Sequence, residues 1–371
     1  MQHFPVALDE IEASPKKYAS VHLGQFTLCR QVRENFCRGI NPGKQWGPVG
    51  QEISDRAAER ERSGPKRKGI HMVVARIQPG IEPCPGRPFL KWAGGKGQLL
   101  EQFDSLFPAP EKIQRYFEPF LGSGAVFFHL MNQNRIADVP VFLSDINSTL
   151  MDLWMHLRDE PSAVIQQLRK LQLAYNPQVP EIYYENRERF NSLGSISSIE
   201  KSALFIALNR TCFNGLYREN SKGHFNVPIG RYANPRILDE DNLWAVHQTL
   251  QGIDLQNRPY VDVLHTARKG DFVYFDPPYY PRNKTSQFAQ YSRDGFRAQD
   301  HETLTALFIE LTRRGVFCML SNSDAPFVID LFKEAQEVCP NVQIHKVQAR
   351  RNINSKATKR RAIFEVVVTN Y

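Results

Sequence analysis

Apolar residues recur along this chain in two spacings that alternate from about residue 86 onward. Tyr116-Phe117, Val139 to Leu143, Asp271 to Phe275 and Val316 to Leu320 are short apolar runs with the length of buried strands. Between them the spacing becomes helical: Leu150, Leu153, Trp154 and Leu157, then Val164, Leu168 and Leu171, and later Leu304, Leu307, Phe308 and Leu311. Further helices are predicted over Gln98 to Leu106, from about Ala125, over Ile199 to Asn209, Asp239 to Leu250 and Asp300 to Arg314. Val342 to Val347 and Ala362 to Val368 predict a closing antiparallel pair. Strand and helix in alternation, with an insertion of roughly a hundred residues, predict an α/β fold: a mostly parallel sheet with helices on both faces.

The first 85 residues break this pattern. They mix charge with scattered Pro and Gly, and only Tyr18 to Leu28 hints at a strand. Thirteen Lys or Arg stand against nine Asp or Glu, so this fifth of the chain holds about half of the formal net charge of +8. Arg60 to Lys68 reads as a solvated, flexible segment. Contact of Lys66-Arg67-Lys68 with DNA is a second reading, and translation starting at Met72 is a third.

The densest chemical signal is Asp271-Phe-Val-Tyr-Phe-Asp-Pro-Pro-Tyr-Tyr-Pro281. A buried strand ends here in a stiff turn, because each proline fixes its own φ and pushes the residue before it into extended geometry. The proline nitrogens carry no hydrogen, so the carbonyls of Asp276 and Pro277 stay bare acceptors beside a carboxylate and an aromatic face. Such a set suits a planar group with N–H donors, such as the exocyclic amine of a nucleobase. A rigid surface turn with edge-packing tyrosines is the alternative.

Two glycine-rich segments supply a second site. Trp92-Ala93-Gly94-Gly95-Lys96-Gly97 fails as a phosphate loop, since Leu90 stands where that motif needs Gly and Gly97 where it needs Ser or Thr. It still predicts a tight loop bringing backbone, Lys96 and Trp92 against a ligand. Glu118-Pro-Phe-Leu-Gly-Ser-Gly124 predicts a strand, a sharp turn and a helix start. The next strand ends in Ser144-Asp145, and Asp145 lies 21 residues after Gly124, where α/β nucleoside sites bind ribose hydroxyls. Phe127 occupies the third glycine position of the dinucleotide fingerprint, which favours an adenosyl ligand without pyrophosphate over NAD.

Asn214-Gly215 and Lys222-Gly223 predict a hairpin displaying Asn214, Arg218, Asn220, Ser221, Lys222 and His224. Arg, Asn and Lys are side chains that read purine edges in a major groove; a solvated polar hairpin is the bland alternative. Arg350 to Arg361 holds six cations in twelve residues, including Arg350, Arg351, Lys356, Lys359 and Arg360, and predicts phosphate contact. The positive net charge suits a polyanionic partner. Six cysteines without CxxC or regular spacing argue against a zinc site or a disulfide framework and fit a reducing cytoplasm. No metal is expected, no apolar run has the length of a membrane span, and the N-terminus lacks a signal pattern.

From about Phe89 to Tyr371 the sequence resembles the Dam-type (class D12) DNA adenine-N6 methyltransferases. Four motifs carry the resemblance in order: Lys91-Trp-Ala-Gly-Gly-Lys96, Glu118-Pro-Phe-Leu-Gly-Ser-Gly124, Ser144-Asp-Ile-Asn147 and Asp276-Pro-Pro-Tyr279. Asn214-Gly-Leu-Tyr-Arg218, Phe225-Asn-Val-Pro228 and Thr369-Asn-Tyr371 are similar to the family too. The resemblance implies a Rossmann-like S-adenosylmethionine-dependent methyltransferase sheet with an inserted helical target-recognition domain, acting on duplex DNA, with GATC the commonest target. Its expected parts are an N-terminal extension (1–85), cofactor-binding catalytic part (86–150), target-recognition domain (151–254) and second catalytic part (255–371). It assigns catalysis to Asp276, Pro277, Pro278 and Tyr279. It assigns cofactor binding to Trp92, Ala93, Gly94, Lys96, Glu118, Pro119, Phe120, Gly122, Ser123, Gly124, Asp145 and Asp276. Two departures stand in the hairpin, where the best-known members carry Arg in place of Lys222 and an aromatic in place of Glu219. A monomer is expected, with a cognate restriction endonuclease acting separately as a further partner. Rival readings are a cytosine-N4 amine methyltransferase and an inactive DNA-binding regulator on the same fold; Asp276 ahead of Pro-Pro-Tyr favours adenine.

Overall fold

The strands alternate between two apolar layers. Tyr116, Phe272, Tyr274, Met319 and Val367 point into one core, and Phe117, Val273, Phe275, Cys318, Leu320, Val366 and Val368 into the other. This is the two-residue period of a sheet covered on both faces. The computed structural model describes residues 85–92, 94–192, 194, 196–282, 296–349 and 363–371. Ala93, the cations of the Arg350 to Arg361 loop and nearly all of the N-terminal extension, including the strand hinted at Tyr18 to Leu28, lie outside the described residues.

In chain order the sheet and its larger helices run β1 (Tyr116–Glu118), α1 (Ala125–Asn132), β2 (Val141–Asp145), α2 (Ser148–Asp159), α3 (Pro161–Ala174), α4 (Pro180–Asn191), α5 (Ser198–Thr211) and α6 (Glu240–Thr249). There follow β3 (Asp254–Asn257), β4 (Phe272–Phe275), α7 (Ala298–Arg313), β5 (Phe317–Ser323), α8 (Pro326–Val338), β6 (Gln343–Ala349) and β7 (Ile363–Thr369). The seven strands lie in the order β3-β2-β1-β4-β5-β7-β6. All adjacent pairs are parallel except those made by β7, which runs antiparallel between β5 and β6. The closing pair therefore forms as predicted.

From β1 the chain steps outward to β2 and β3, and from β4 it steps the other way to β5. The order reverses between β1 and β4, so the crevice beyond their carboxyl ends is the switch point where open α/β sheets bind ligands. Arg115 and Asp271, each just ahead of its strand, fix the opposite end: Arg115 Nε and Nη2 donate to Asp271 at 2.9 and 2.5 Å.

Helices α2 to α6 fall between β2 and β3. Asn147 caps α2 by accepting from Leu150 N, and Ser197 caps α5 by accepting from Glu200 N. Helix α5 is buried on nearly every side, with Ala203 to Asn209 all covered. The helix predicted over Gln98 to Leu106 is instead a 3-10 turn at Lys96–Gln98 followed by the short helix Leu100–Phe103. Gly97, a poor helix former, stands inside the 3-10 turn that replaces the first part of the predicted helix. Cys212, Cys318 and Cys339 are free and buried. Among the described residues no helix is long and apolar enough to cross a membrane.

Candidate active site

Both sequence-predicted turns emerge at the switch point. After β1 the chain turns through Gly122 (φ 49°) and Gly124 (φ 67°) into α1. These left-handed positions favour glycine, and neighbouring rings leave no room for more. A Cβ on Gly122 would lie 2.8 Å from Trp92 Nε1, and one on Gly124 2.7 Å from Trp154 Cη2. Trp154 Nε1 donates to the Gly122 carbonyl at 3.2 Å, so α2 braces the turn from below. Leu121 N donates to Ser144 O, tying the turn to the end of β2.

At that end Asp145 accepts from Gly122 N and Asn147 N, each at 3.0 Å. Burial raises its carboxyl above the usual carboxylate range, and these backbone donors oppose the shift. Asn257 of β3 donates to the Asp145 carbonyl at 2.8 Å. Phe120, just after β1, stacks on Tyr260 with centroids 5.1 Å apart and presents flat aromatic surface. The donor set, the close-packed glycine backbone and the aromatic wall fit a nucleoside-bearing ligand.

After β4 the Asp276-Pro-Pro-Tyr279 turn faces the glycine-rich loop. Lys96 is 2% exposed, and its Nζ lies 2.6 Å from Asp276 Oδ1. It also donates to Gly94 O at 2.7 Å and sits 4.6 Å from the centroid of the Tyr279 ring. An ammonium thus occupies a carboxylate, a carbonyl and an aromatic face, the group types the sequence predicted for an amine. The Tyr279 hydroxyl donates to Glu365 Oε2 of β7 at 2.6 Å. Burial raises the Asp276 carboxyl, while Lys96 and the Ser321 hydroxyl pull it down. Pro277 is buried and Pro278 exposed.

Glu118 closes the floor. It is 2% exposed, accepts from the Tyr116 hydroxyl at 2.6 Å, and is pushed up to about 8, first by burial and further by the Asp276 charge. A carboxyl whose folded-state pKa lies above its unfolded value keeps its stability contribution below the unfolded pKa and loses it as pH rises toward the folded one. Glu118→Gln is therefore expected to flatten the fall in stability between pH 5 and 8, a slope of up to about 1.4 kcal/mol per pH unit. Urea unfolding of both proteins across that range measures it, and identical slopes would refute the assignment.

The hairpin forms as a long, irregular arm, with bridges Cys212↔Ile229 and Glu219↔Phe225 and with Asn214 at φ 55°. Arg218 and Lys222 are exposed, although Arg218 Nε is held by Asn226 Oδ1 at 2.7 Å. Asn220 differs: its Oδ1 accepts from Lys222 N and His224 N, so that oxygen builds the turn. Glu219 turns inward, accepting from the Tyr217 hydroxyl at 2.5 Å. Tyr217 packs against both Phe205 and Trp92, at 5.0 and 5.8 Å, so the arm's base joins the ring that covers Gly122.

Trp92, Gly94, Lys96, Glu118 to Phe120, Gly122 to Gly124, Asp145 and Asp276 to Tyr279 are thus placed around the ends of β1, β2 and β4, while Asn214, Arg218, Asn220 and Lys222 lie on the arm. Sequence reasoning passed over Tyr260, Ser321 and Glu365. For Ser321 a signal existed, since Ser321-Asn-Ser323 continues a buried apolar strand with three polar residues.

Residues 92–353 match the family described as D12 class N6 adenine-specific DNA methyltransferase. The chain is 40% identical over 294 residues to the Type II methyltransferase M.MjaIII of Methanocaldococcus jannaschii, covering 77% of this chain and 99% of that protein. To the Type II methyltransferase M1.LlaDCHI of Lactococcus lactis it is 38% identical over 289 residues, covering 77% and 95%. To the DNA adenine methylase of Escherichia coli K12 it is 32% identical over 281 residues, covering 76% and 94%.

Proposed function

The chain belongs to the D12 class of N6 adenine-specific DNA methyltransferases, and from that premise we propose that it transfers the methyl group of S-adenosylmethionine to N6 of an adenine swung out of duplex DNA, with GATC as its target. One observation carries the reading. The Asp276-Pro-Pro-Tyr279 turn and the Gly122 to Gly124 turn leave adjacent parallel strands at the switch point, with Asp145 one strand further out.

Bound S-adenosylmethionine supplies a methyl carbon on a sulfonium; as that carbon bonds to nitrogen, the carbon–sulfur bond breaks, its electron pair stays on sulfur, and a neutral thioether leaves. Asp145 would hold the ribose hydroxyls, and the Gly122 to Gly124 turn and Trp92 would line the place of the cofactor. Asp276 and the Pro277 carbonyl accept the two amino hydrogens of the target adenine. Those bonds draw N6 toward tetrahedral geometry and free its lone pair, otherwise delocalised into the ring. The amine sheds one proton as it gains carbon, and the Asp276 carboxylate is the acceptor already in contact with it. Tyr279, held by Glu365, offers its ring to the base, which has to leave the stack for N6 to be reached. Residues 86–150 and 255–371 form the catalytic part in this reading, and 151–254, with the arm, the target-recognition part. Arg218 and Lys222 read base edges, Lys222 as a flexible point donor where Arg would offer a fixed fork. Arg350, Arg351, Lys356, Lys359 and Arg360 contact phosphates. The protein works as a monomer in the cytoplasm, with a separate restriction endonuclease as its counterpart, a pairing suggested by the Type II names of two relatives.

Expression in a methylation-free host followed by methylome sequencing tests the reading. N6-methyladenine confined to GATC is expected. Modification of another motif would overturn the target, and absence of modified adenine would overturn the activity.

A further inference from the structure

Three consecutive residues at the end of β5 grip the turn that follows β4. The parallel register pairs Tyr274 with Met319 and Phe275 with Leu320, so the next rung sets Ser321 opposite Asp276 where the ladder stops. Ser321, Asn322 and Ser323 are 0%, 1% and 3% exposed, although all three are polar and the strand before them is apolar. Each spends its side chain on the same turn. Ser321 Oγ donates to Asp276 Oδ1 at 3.0 Å, Asn322 Oδ1 accepts from Tyr280 N at 3.1 Å, and Ser323 Oγ donates to Tyr280 O at 2.7 Å.

The attachment is one-sided. Oδ1 of Asp276 receives both Ser321 and the Lys96 ammonium, the latter at 2.6 Å, whereas among the described residues no donor reaches Oδ2. The Ser321 hydrogen has its direction set from behind. The Tyr274 hydroxyl lies 2.8 Å from Ser321 Oγ, and burial pushes its phenol well up, so it keeps a hydrogen to give. A serine hydroxyl carries one hydrogen; accepting from Tyr274 leaves that hydrogen for Asp276.

We propose that Ser321, Asn322 and Ser323 are positioning residues for methyl transfer: Ser321 anchors Asp276 by Oδ1 and so reserves Oδ2 for the target amine, while Asn322 and Ser323 lock the backbone of Tyr280 that closes the turn. The proposal rests on the adenine-methylation reading above. It accounts for three buried polar side chains that the sheet itself does not need, and for an acceptor held in place before substrate arrives.

Single-turnover methyl transfer to duplex DNA, followed with tritiated S-adenosylmethionine across pH, tests it. Ser321→Ala is expected to slow transfer about tenfold while affinity for DNA and cofactor stays within about twofold. The acid limb of the rate profile is expected to move to higher pH. Asp276 accepts the amine as a carboxylate, and losing a donor to that carboxylate makes it easier to protonate. The other titratable groups around it remain in this variant, Tyr274 of β4 losing only its Ser321 partner: Lys96 from the glycine-rich loop, Tyr116 and Glu118 from β1, Tyr279 in the turn and Glu365 from β7. Ser321→Thr, which keeps the hydroxyl, recovers most of the lost rate. If Ser321→Ala does not fold, Thr against Cys decides, since Cys is close in size but a weak donor and has to be the slower. Wild-type rate and an unmoved acid limb in Ser321→Ala overturn the proposal, as does slowing with an unmoved limb that Thr does not repair. Wild-type protein that transfers no methyl overturns the underlying reading instead.

Discussion

Asp276→Ala is expected to bind duplex DNA within a few-fold of wild type and to transfer methyl at least about a hundredfold more slowly. The carboxylate is not a lone charge but a meeting point, receiving Lys96 from the glycine-rich loop and Ser321 from the end of β5. Alanine removes the acceptor proposed for the amine and strands the Lys96 ammonium, 2% exposed, without its counter-ion. Part of the effect therefore appears as lost stability. Asp276→Asn separates the two: it preserves shape but replaces one acceptor atom with a donor, so transfer falls while the fold is less disturbed. Tritium incorporation and filter binding on the same preparations measure both quantities. Turnover near wild type in either variant would remove Asp276 from the reaction.

The second large effect is on stability, at the other end of the same strands. Asp271 is 1% exposed and accepts from Arg115 Nε and Nη2 and from Arg268 N at 2.6 Å, while Arg115 Nη2 also donates to Thr266 O at 2.8 Å. Asp271→Ala leaves the partly exposed Arg115 guanidinium and Arg268 N without their acceptor and is expected to cost about 2–3 kcal/mol, the range for losing a hydrogen-bonded charged partner. Asp271→Asn, which retains an acceptor, should lose less. Urea unfolding gives both numbers, and a loss under about 1 kcal/mol for alanine would show that the pair does not hold β1 and β4 together. Activity per folded molecule is expected to survive, because the site lies at the opposite strand ends.

Much of this architecture was legible because its strands are covered on both faces. Phe272 to Phe275 and Val316 to Leu320 are unbroken apolar runs, and Pro277 and Pro278 mark where one of them stops. The Gly122 to Gly124 turn was legible for a similar reason, since positive φ in a crowded turn leaves few residue choices. Other elements left weaker traces. Strand β3, Asp-Leu-Gln-Asn, is a polar edge of the sheet with one buried residue, so its sequence carries no run to detect. Helix α4 buries only Tyr183 and Phe190 and has five charged residues among the other ten, so its period is hidden by composition. In the site, Lys96 was assigned to the cofactor from its glycine neighbours, but its pairing with Asp276 joins residues 180 positions apart and follows from no local pattern. Asn220 was read as displayed outward, whereas its carbonyl oxygen is spent on Lys222 N and His224 N; a side chain that builds a turn and one that reads a base look alike in sequence.

The placement of β7 bears on how such a protein is made. This strand runs between β5 and β6, carries Glu365 to the Tyr279 hydroxyl, and is followed by Asn370, whose Oδ1 accepts from Cys318 N and whose Nδ2 donates to Val316 O. A ribosome delivers it after every other strand of the sheet. Until then β5 has a bare edge and Tyr279 has no anchor. A nascent or prematurely terminated polypeptide that stops before residue 363 therefore lacks the Glu365 anchor of Tyr279 and the strand that covers β5, and is expected to be inert.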